Sequence, residues 1–456
     1  MAATTDSTGS PGSSDATAVT WPAWESAAFY MQDPAVMYAS MAAQRQAAPV
    51  HWYEPPGYAT GLWVLSKWEH QRFVGSSPEL FSSWYGFAIG DASDPATVMH
   101  QLPEWAQEKL RAGNLSPAEV RHTVAHGKLS MGDPDFESLM LADPPRHGQI
   151  RSVLMKALRP SLVRSLKARI GEIADELIAE VEPGAETDFV TTVGRIPAAL
   201  MTELIGVPRD MRERFIEMAS AQMKAITIDP ERDPAEAERV KRLVGEFHDY
   251  CEELLAERRK SGSDGDDLAS IIARSEHDGG PVPTGAAISY IHTFVNAGET
   301  TRGLLSFVAL ALAENPDQRR LLVERPELIG NAIEESLRYY PINWSGCRTA
   351  KQDLEIGGQA IRKDDFVMMV YASANRDEDV WDRPDELDVT RSFDMDHQSF
   401  GHGEHSCPGA LLARTDAAMV FERLLARFPD WEPAGEPQRW ANPFLQGLGT
   451  LPLRFG

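Results

Sequence analysis

Cysteine is scarce in this chain of 456 residues, which contains only Cys251, Cys347 and Cys407. So sparse and odd-numbered a set argues against a disulfide-stapled extracellular scaffold and is typical of a protein from a reducing compartment. We therefore predict a cytoplasmic protein. Cys251 and Cys347 have no distinctive sequence around them, and we interpret both as packing residues.

Positive charge is also in short supply, and the N-terminus lacks an apolar block. The 44 Lys and Arg against 68 Asp and Glu leave a formal net charge of −24, which argues against nucleic acid as a partner because phosphate binding requires a basic face. Residues 1–19 have no basic start and no apolar run, so we expect neither a signal peptide nor a membrane anchor. We predict that residues 1–20 are a disordered tail. Because the remainder shows no repeat and no Gly/Ser linker, residues 21–456 are predicted to be a single domain.

Helical patterning is what the chain has most of. It covers nearly all of residues 146–272, apart from a break at 228–234, and it predicts one long apolar helix over 284–314, roughly 45 Å in length. Polar and charged side chains interrupt the apolar sequence of that helix. We therefore expect the helix at the centre of the domain rather than in a membrane. Strand-like runs occur at 346–371 and 443–455. The predicted fold class is mainly α with small β-sheets.

Residues 81–140 have no clear periodicity and are rich in Gly, Asp, Ser, Pro and Met. We predict one helix there, over residues 104–112, with Gly113 as its C-terminal cap. An irregular segment of this length inside a compact protein usually has a function. We therefore expect the region to contribute a lid or a binding loop.

The most specific local signal surrounds Cys407, in the run Phe-Gly-His-Gly-Glu-His-Ser-Cys-Pro-Gly at residues 400–409. The glycines permit a tight turn, and the helical sequence that follows places the thiol at a helix N-terminus, where the thiolate is favoured. A shielded thiolate is what a haem iron requires as its proximal ligand. The nearby His397, His402 and His405 raise the alternative of a zinc cluster, but no second cysteine is close and the glycines would be unexplained.

This loop resembles the haem-binding loop of the cytochrome P450 family. The family pattern Phe-Gly-x-Gly-x-(Arg/His)-x-Cys-x-Gly is matched at Phe400, Gly401, Gly403, His405, Cys407 and Gly409. The resemblance implies the cytochrome P450 fold, in which haem b lies between a long central helix and a cysteine-bearing loop and helix. It also implies that Cys407 is the axial ligand of the iron. Without an apolar anchor, the chain looks like the soluble, bacterial type.

Within the predicted central helix, Glu299 and Thr300 match the acid–alcohol pair through which the family delivers protons during oxygen activation, so we expect both to be catalytic. The preceding Asn296-Ala297-Gly298 departs from the family's order, because the glycine stands one place later. The groove over the haem is therefore expected to differ in shape. His292, Asn296 and Thr300 are spaced by four and share one helix face. His292 and Asn296 either face the substrate or bond to neighbouring backbone.

Other motifs match the family's supporting positions. Glu335 and Arg338 lie three apart on a predicted helix, and the resemblance makes them a structural ion pair whose third member is Arg376, or else Arg391. Paired donors and guanidinium groups suit carboxylates. Four side chains match the positions that bind haem propionates: His147, Arg151, Arg348 and His397.

By family position, the substrate pocket would be lined by the 81–140 region together with His292, Val295, Asn296, Ile342, Asn343, Trp344, Phe444 and Leu445. An apolar lining with a few amides suits a terpenoid, a steroid or a substituted aromatic with a polar handle. The resemblance implies a monooxygenase that inserts one oxygen atom of O2 into a C–H bond. No flavin, nicotinamide or iron–sulfur motif occurs, so NAD(P)H-derived electrons would arrive through a ferredoxin and its reductase. The alternatives are a peroxide-driven peroxygenase, a non-oxidative haem-thiolate isomerase and, from a different class, a haem-based sensor.

Overall fold

The computed structural model describes residues 22–130, 133, 136–226 and 233–456. The predicted tail and most of the predicted break at 228–234 lie outside these residues. Helices dominate the described chain and the sheets are small, which confirms the predicted class, mainly α with small β-sheets.

The α-helices surround one long central member. In chain order they are α1 (Ala27–Tyr30), α2 (Pro34–Ala47), α3 (Trp68–Ser76), α4 (Pro95–Val98), α5 (Glu104–Arg111), α6 (Pro117–Leu129), α7 (Arg146–Ala157), α8 (Pro160–Ile178), α9 (Ile196–Ile205), α10 (Arg212–Ile226), α11 (Pro234–Ser261), α12 (Leu268–Ala273), α13 (Thr284–Glu314), α14 (Pro316–Glu324), α15 (Ile329–Tyr339), α16 (Tyr371–Ala374) and α17 (Ala410–Arg427).

The strands are short and form several small sheets. They are β1 (Val50–Tyr53), β2 (Leu62–Leu65), β3 (Phe81–Ser82), β4 (Glu186–Asp188), β5 (Glu276–His277), β6 (Gly280–Pro281), β7 (Gly346–Ala350), β8 (Leu354–Ile356), β9 (Gln359–Ile361), β10 (Phe366–Met369), β11 (Trp431–Pro433), β12 (Gln438–Ala441), β13 (Gln446–Thr450) and β14 (Pro452–Phe455). The largest sheet has the order β1-β2-β10-β7-β3. In it β10 runs parallel to β2, with Val367 opposite Trp63, and the other neighbours are antiparallel.

The central helix α13 spans Thr284–Glu314, the range that the sequence predicts, and its side chains are buried nearly all round. Its two halves pack into two separate hydrophobic cores. Gly298 lets α9 approach, because a Cβ there would lie 3.2 Å from Cγ of Met201; this packing explains a glycine that weakens the helix by about 1 kcal/mol relative to alanine. Among the described helices, none combines the length and the apolar composition that crossing a membrane requires.

The 81–140 region contains more helix than its sequence suggests. The predicted helix over 104–112 is present as α5, and Gly113 follows it with a positive φ of 70°. The prediction missed α6, which starts after Ser116 with Pro117 in its first turn and a reciprocal Ser116–Glu119 capping box. That Ser-x-x-Glu spacing is a recognised start signal and could have identified the helix.

The structural ion pair on α15 is confirmed in position but not in its third member. Glu335 and Arg338 are fully buried, with Arg338 Nη2 2.7 Å from the carboxylate. The second guanidinium on Glu335 belongs to Arg391, whose Nε lies 3.0 Å away. The choice of Arg376 was therefore wrong, since Arg376 pairs with Asp385 at 2.7 Å.

Candidate active site

The cysteine loop closes through backbone contacts that only glycine permits. Gly401 and Gly403 have positive φ values of 65° and 73°, a region that side chains disfavour. A Cβ on Gly403 would also overlap the backbone carbonyl of Gly75 in α3. The amide of Cys407 donates to the carbonyl of Phe400 at 2.8 Å, which closes the loop under the thiol. These constraints fix where the sulfur points.

The sulfur of Cys407 faces the main cavity and is enclosed by protein on its other sides. Burial raises the pKa of this thiol, while the backbone N–H groups of Gly409 and Ala410 and the nearby Arg151 and Arg414 lower it. The predicted helix N-terminus is therefore present and does favour the thiolate, although burial outweighs it. A cation bound to the sulfur from the cavity side would shift this balance towards the thiolate.

A cavity of about 300 Å³ separates the cysteine loop from the central helix. One wall is the loop itself and the N-terminal part of α17, and the facing wall is a strip of α13 from Thr293 to Leu304. The lining is mostly apolar. It includes Phe87, Leu139, Met140, Leu158, Met201, Leu337, Tyr371, Phe400, Leu412 and Phe444. A flat apolar cofactor with a metal at its centre can lie between two such walls.

Three of the predicted propionate-binding residues gather at one edge of this cavity, together with His405. The rings of His147 and His405 are 4.2 Å apart, and Arg348 lines the cavity. Arg151 donates to the carbonyl of Ser406 at 2.7 Å. Burial lowers the pKa of His147 to about 4 and that of His405 to about 2, and neighbouring guanidinium groups add to both effects.

The two guanidinium groups at this edge have no carboxylate partner, although Glu404 lies 3.6 Å from Nε2 of His405. Among the described residues, neither Arg151 nor Arg348 is paired with a carboxylate; their hydrogen bonds go to backbone carbonyls. Nε2 of His147 is buried without a partner. Unpaired donors around one cavity edge fit a ligand that carries carboxylates, which is what the two propionates of haem provide.

His397 contacts other groups, and its role as a propionate ligand stays a prediction. Its Nε2 lies 3.2 Å from Glu334, and its Nδ1 accepts a hydrogen bond from the amide of Ser399. The structure therefore gives His397 a role in bracing the loop against α15. The crowding of histidines around Cys407 also does not create a second metal centre, because no three acidic, His or Cys side chains in the described part of the chain converge on one point.

The two residues of the predicted acid–alcohol pair lie on different sides of α13. Thr300 lines the main cavity, and its Oγ1 donates to the carbonyl of Asn296 at 3.1 Å. Glu299 does not line that cavity. It forms an ion pair with Arg302 and lies between two small voids, one of which also touches Thr300. Any proton that moves from Glu299 to Thr300 would therefore pass through the void that touches both residues.

The structure brings together five of the eight predicted pocket residues: Asn296, Ile342, Asn343, Phe444 and Leu445. Val295 instead faces a small void beside Glu299. His292 is buried near the ring of Phe247, and Trp344 packs against Tyr30 in the core beside the largest sheet. These three do not line the main cavity.

Several cavity residues were missed by the sequence reasoning. Thr293, Ala297 and Leu304 share the helix face of Asn296 and Thr300, so their i+3 and i+4 spacing could have identified them. Among its described residues, the 81–140 region contributes Phe87, Leu139 and Met140 to the cavity lining. Leu158, just after α7, and Met201 of α9 also reach the cavity, and no local pattern indicates this.

Asp416 of α17 is a buried carboxyl that the cavity does not use, and neither of its oxygens has a hydrogen-bond partner. Burial raises its pKa from 3.8 to about 7. The folded state thus holds the proton more tightly than the unfolded state, and the associated stability is present below about pH 4 and is lost as the pH rises towards 7.

The substitution Asp416→Asn is therefore expected to stabilise the protein more at alkaline pH. Relative to wild type, the gain in the free energy of unfolding should grow by about 2–3 kcal/mol between pH 5 and pH 8, since one pKa unit corresponds to about 1.4 kcal/mol. Urea unfolding of both proteins at a series of pH values measures this. A difference that does not vary with pH would show that Asp416 is ionised throughout.

Comparisons with known proteins identify the family of this chain. The cytochrome P450 family model matches residues 94–455. Linalool 8-monooxygenase of Pseudomonas putida is 34% identical over 409 residues, which are 89% of this chain and 92% of that protein.

Two solved structures share the fold over most of their length. Mycobacterium marinum cytochrome P450 CYP268A2 in complex with pseudoionone has a TM-score of 0.76 and 27% identity, with 94% of this chain and 97% of that one covered. CYP108D1 from Novosphingobium aromaticivorans has a TM-score of 0.75 and 26% identity, with 92% and 94% covered. This chain therefore belongs to the cytochrome P450 family of haem-thiolate oxidoreductases, with haem b as its cofactor.

Proposed function

We propose that this protein is a monooxygenase that inserts one oxygen atom of O2 into a C–H bond of a small terpenoid, with electrons from a ferredoxin. The observation that carries the proposal is the apolar cavity between the Cys407 sulfur and the Thr300 hydroxyl. When bound, haem supplies the activation of oxygen, helped by a thiolate ligand. The cavity walls exclude water and hold an apolar molecule beside the reacting centre.

Thr300 is the residue proposed to handle the proton. Its hydroxyl proton can be donated to the carbonyl of Asn296 or to that of Ala297, at 3.1 and 3.3 Å. The oxygen keeps its lone pairs free to accept a proton donor from the cavity. Glu299 would then return a proton to the Thr300 hydroxyl from the side of Arg302, once the ion pair between Glu299 and Arg302 opens.

The substitution Thr300→Ala is expected to divert electrons from product to hydrogen peroxide while substrate binding persists. We expect the amount of product formed per NAD(P)H consumed to fall roughly 10- to 100-fold. This loss is at or below the low end of the rate contribution of a positioned proton donor. Peroxide and product are measured together in a reconstituted turnover assay. Thr300→Ser keeps the hydroxyl and should restore most of the coupling; equal coupling in Thr300→Ala and wild type would contradict the proposed role.

A terpenoid is favoured as the substrate by the relatives as well as by the lining. Linalool 8-monooxygenase bears the name of an acyclic terpenoid alcohol, and the M. marinum structure holds pseudoionone, an acyclic terpenoid ketone. The apolar side chains of Phe87, Leu139 and Phe444 give such molecules a hydrocarbon surface. Steroids and substituted aromatics remain the comparison classes in the test below.

The proposed electron donor is a ferredoxin with its NAD(P)H-dependent reductase. Beside the cysteine loop, α17 exposes Leu411, and the guanidinium of Arg414 lies 4.5 Å from the ring of Phe400. Arg72 is on α3, the helix whose Gly75 packs against His402. An exposed apolar residue and arginines on the two helices beside the loop suit a small acidic redox protein, although Arg414 is also ion-paired with Glu334 and the whole chain carries a net charge of −24.

The proposal is tested by adding linalool, a steroid and a substituted aromatic to the ferric holoprotein and recording the shift in haem spin state. Ligands that cause a shift are then incubated with ferredoxin, reductase, NADPH and ¹⁸O-labelled O2. We expect a labelled alcohol from the terpenoid. Product that requires added peroxide would favour a peroxygenase, unlabelled rearranged product an isomerase, and ligand binding without any product a sensor.

A further inference from the structure

A small void lies between α13 and the hairpin formed by β12 and β13, apart from the main cavity. Its volume is about 40 Å³, which gives room for about three water molecules, because one water requires roughly 10–15 Å³. Four of its lining residues carry polar side chains: Glu299, Thr300, Arg302 and Gln446. A void of this size with several polar groups in its wall is a place where buried water is retained.

Thr300 connects this void with the main cavity. Three residues line both spaces, namely Thr300, Ile342 and Leu445, and the side chains of the last two are apolar. In the described chain the hydroxyl of Thr300 is therefore the polar side-chain group of the partition. A hydroxyl can accept a proton on one side and donate its own on the other. The void is consequently the space from which a proton given up by Thr300 can be replaced.

The indole of Trp440 covers the void from the hairpin side. Trp440 of β12 pairs with Gly447 of β13, and its ring lies so close that a Cβ on Gly447 would be 2.5 Å from Cζ2. Both residues line the void. Because Trp440 is also 38% exposed, the ring lies between the void and the solvent. On the side of α13 the wall includes Arg302, which is held in its ion pair with Glu299.

Trp52 makes the same kind of contact elsewhere in the chain. Its ring lies over Gly61, and it is 42% exposed. It donates from Nε1 to Glu54 at 3.0 Å and lines none of the three cavities described above. A tryptophan over a glycine can therefore pack in this protein without covering a void. What distinguishes Trp440 is the void beneath its ring.

We propose that Trp440 is a positioning residue that caps a water-filled proton path from solvent to Thr300. The inference rests on the proposed function, in which O2 and R–H give R–OH and water with two electrons from the ferredoxin and two protons from solvent. Each proton that leaves the Thr300 hydroxyl is replaced from a water in the void or from Glu299, and bulk water restores it in turn. The cap keeps the waters of the void from mixing freely with solvent, which protects the reacting centre from excess water.

The test follows water access and turnover in one set of variants. Trp440→Ala removes the cap, Trp440→Phe keeps a smaller ring over Gly447, and Trp52→Ala is the matched control. Water access is measured on the ferric holoprotein by hydrogen–deuterium exchange of the peptide that covers residues 296–304, whose helix amides exchange only when they open and meet water. Turnover of linalool with ferredoxin, reductase and NADPH is measured in H2O and in D2O.

Trp440→Ala is expected to speed exchange of the 296–304 peptide about tenfold. It should also lower the solvent isotope effect on product formation towards one, because bulk water then reaches Thr300 directly. Trp440→Phe should change both quantities in the same direction but by less, and it provides a folded variant if the alanine variant is unstable. Trp52→Ala should match wild type in both measurements.

Wild-type values of both quantities in Trp440→Ala would overturn the inference. Exchange that accelerates equally in every peptide would overturn it as well, because the indole would then act only on overall stability. Faster exchange at residues 296–304 with an unchanged isotope effect would mean that the void is not part of the proton path. If wild type forms no product from O2, the proposed function fails, and the exchange comparison still decides whether Trp440 caps the void.

Discussion

Replacing Cys407 by serine is expected to abolish the strongly red-shifted Soret band of the reduced, carbon-monoxide-bound protein and to reduce oxygenation to background. The band requires a thiolate sulfur on the haem iron, and in the described chain Cys407 is the cysteine whose sulfur faces the cavity. A serine oxygen keeps the shape of the side chain but is a far weaker donor to iron. Absorption spectra of the purified wild type and variant, recorded with equal haem content, measure the change.

Cys251 provides the control for this experiment. It is fully buried among the helices on the N-terminal half of α13, and burial raises its pKa well above that of a free thiol, so Cys251→Ala should leave the spectrum unchanged. A red-shifted band that survives in Cys407→Ser would place the iron on another ligand. Loss of the band in Cys251→Ala alone would have the same meaning. Either result would contradict the assignment of Cys407 as the ligand of the haem iron.

Parts of the molecule that depend on neighbours in sequence could be predicted from the sequence. The turn of the cysteine loop is specified within its ten residues, because Gly401 and Gly403 have positive φ values that favour glycine. The bounds of the central helix are equally local: an uninterrupted helical pattern runs from Thr284 to Glu314, and the break at Asn315-Pro316 ends it. The same reasoning places Thr300 on one helix face with Asn296.

Parts that depend on distant segments could not be predicted in this way. Trp344 and Asn343 are adjacent, yet β7 and its neighbours turn the indole into the core beside the largest sheet and leave the amide in the cavity. His397 carries a side chain suited to a propionate, but α15 places Glu334 within 3.2 Å of it. Which of two equally suitable partners a side chain meets is decided by how the helices pack, and one sequence does not show this.

The second arginine that bonds Glu335 shows most clearly what one sequence does not predict. Arg376 and Arg391 both follow Glu335 at long range, and both are buried. Arg391 donates from its Nε to both oxygens of Glu335. Its Nη2 donates to the carbonyls of Arg383 and Glu386, at 3.1 and 3.0 Å, and its Nη1 donates to the carbonyl of Asp382. The loop after α16 therefore forms a cage of carbonyls around Arg391, and a guanidinium there pairs with Glu335 without unpaired donors.

Removing Glu335 is expected to be severely destabilising. Glu335→Ala would leave Arg338 and Arg391 buried without their anion, which typically lowers the free energy of unfolding by about 3–5 kcal/mol. Because α15 also holds the cysteine loop, through the bond from Ser399 to the carbonyl of Leu337 at 2.6 Å, we expect poor haem retention as well. Urea unfolding followed by tryptophan fluorescence and by the Soret band measures both effects. The milder Glu335→Gln keeps the shape and gives a folded variant for comparison.

A double-mutant cycle separates Arg391 from Arg376 as the partner of Glu335. Combining Glu335→Gln with Arg391→Met should give a coupling energy of about 1–3 kcal/mol, because the two residues share direct hydrogen bonds. The same cycle with Arg376→Met should be additive to within about 0.5 kcal/mol, since Arg376 pairs with Asp385 and lies 3.7 Å from the centroid of the Tyr38 ring. Stronger coupling with Arg376 than with Arg391 would show that Arg376, the first of the two arginines considered from the sequence, is the partner of Glu335 in solution. Coupling with Arg391 alone would mean that the carbonyl cage, and not proximity along the chain, selects the cation that holds α15 in place behind the haem site.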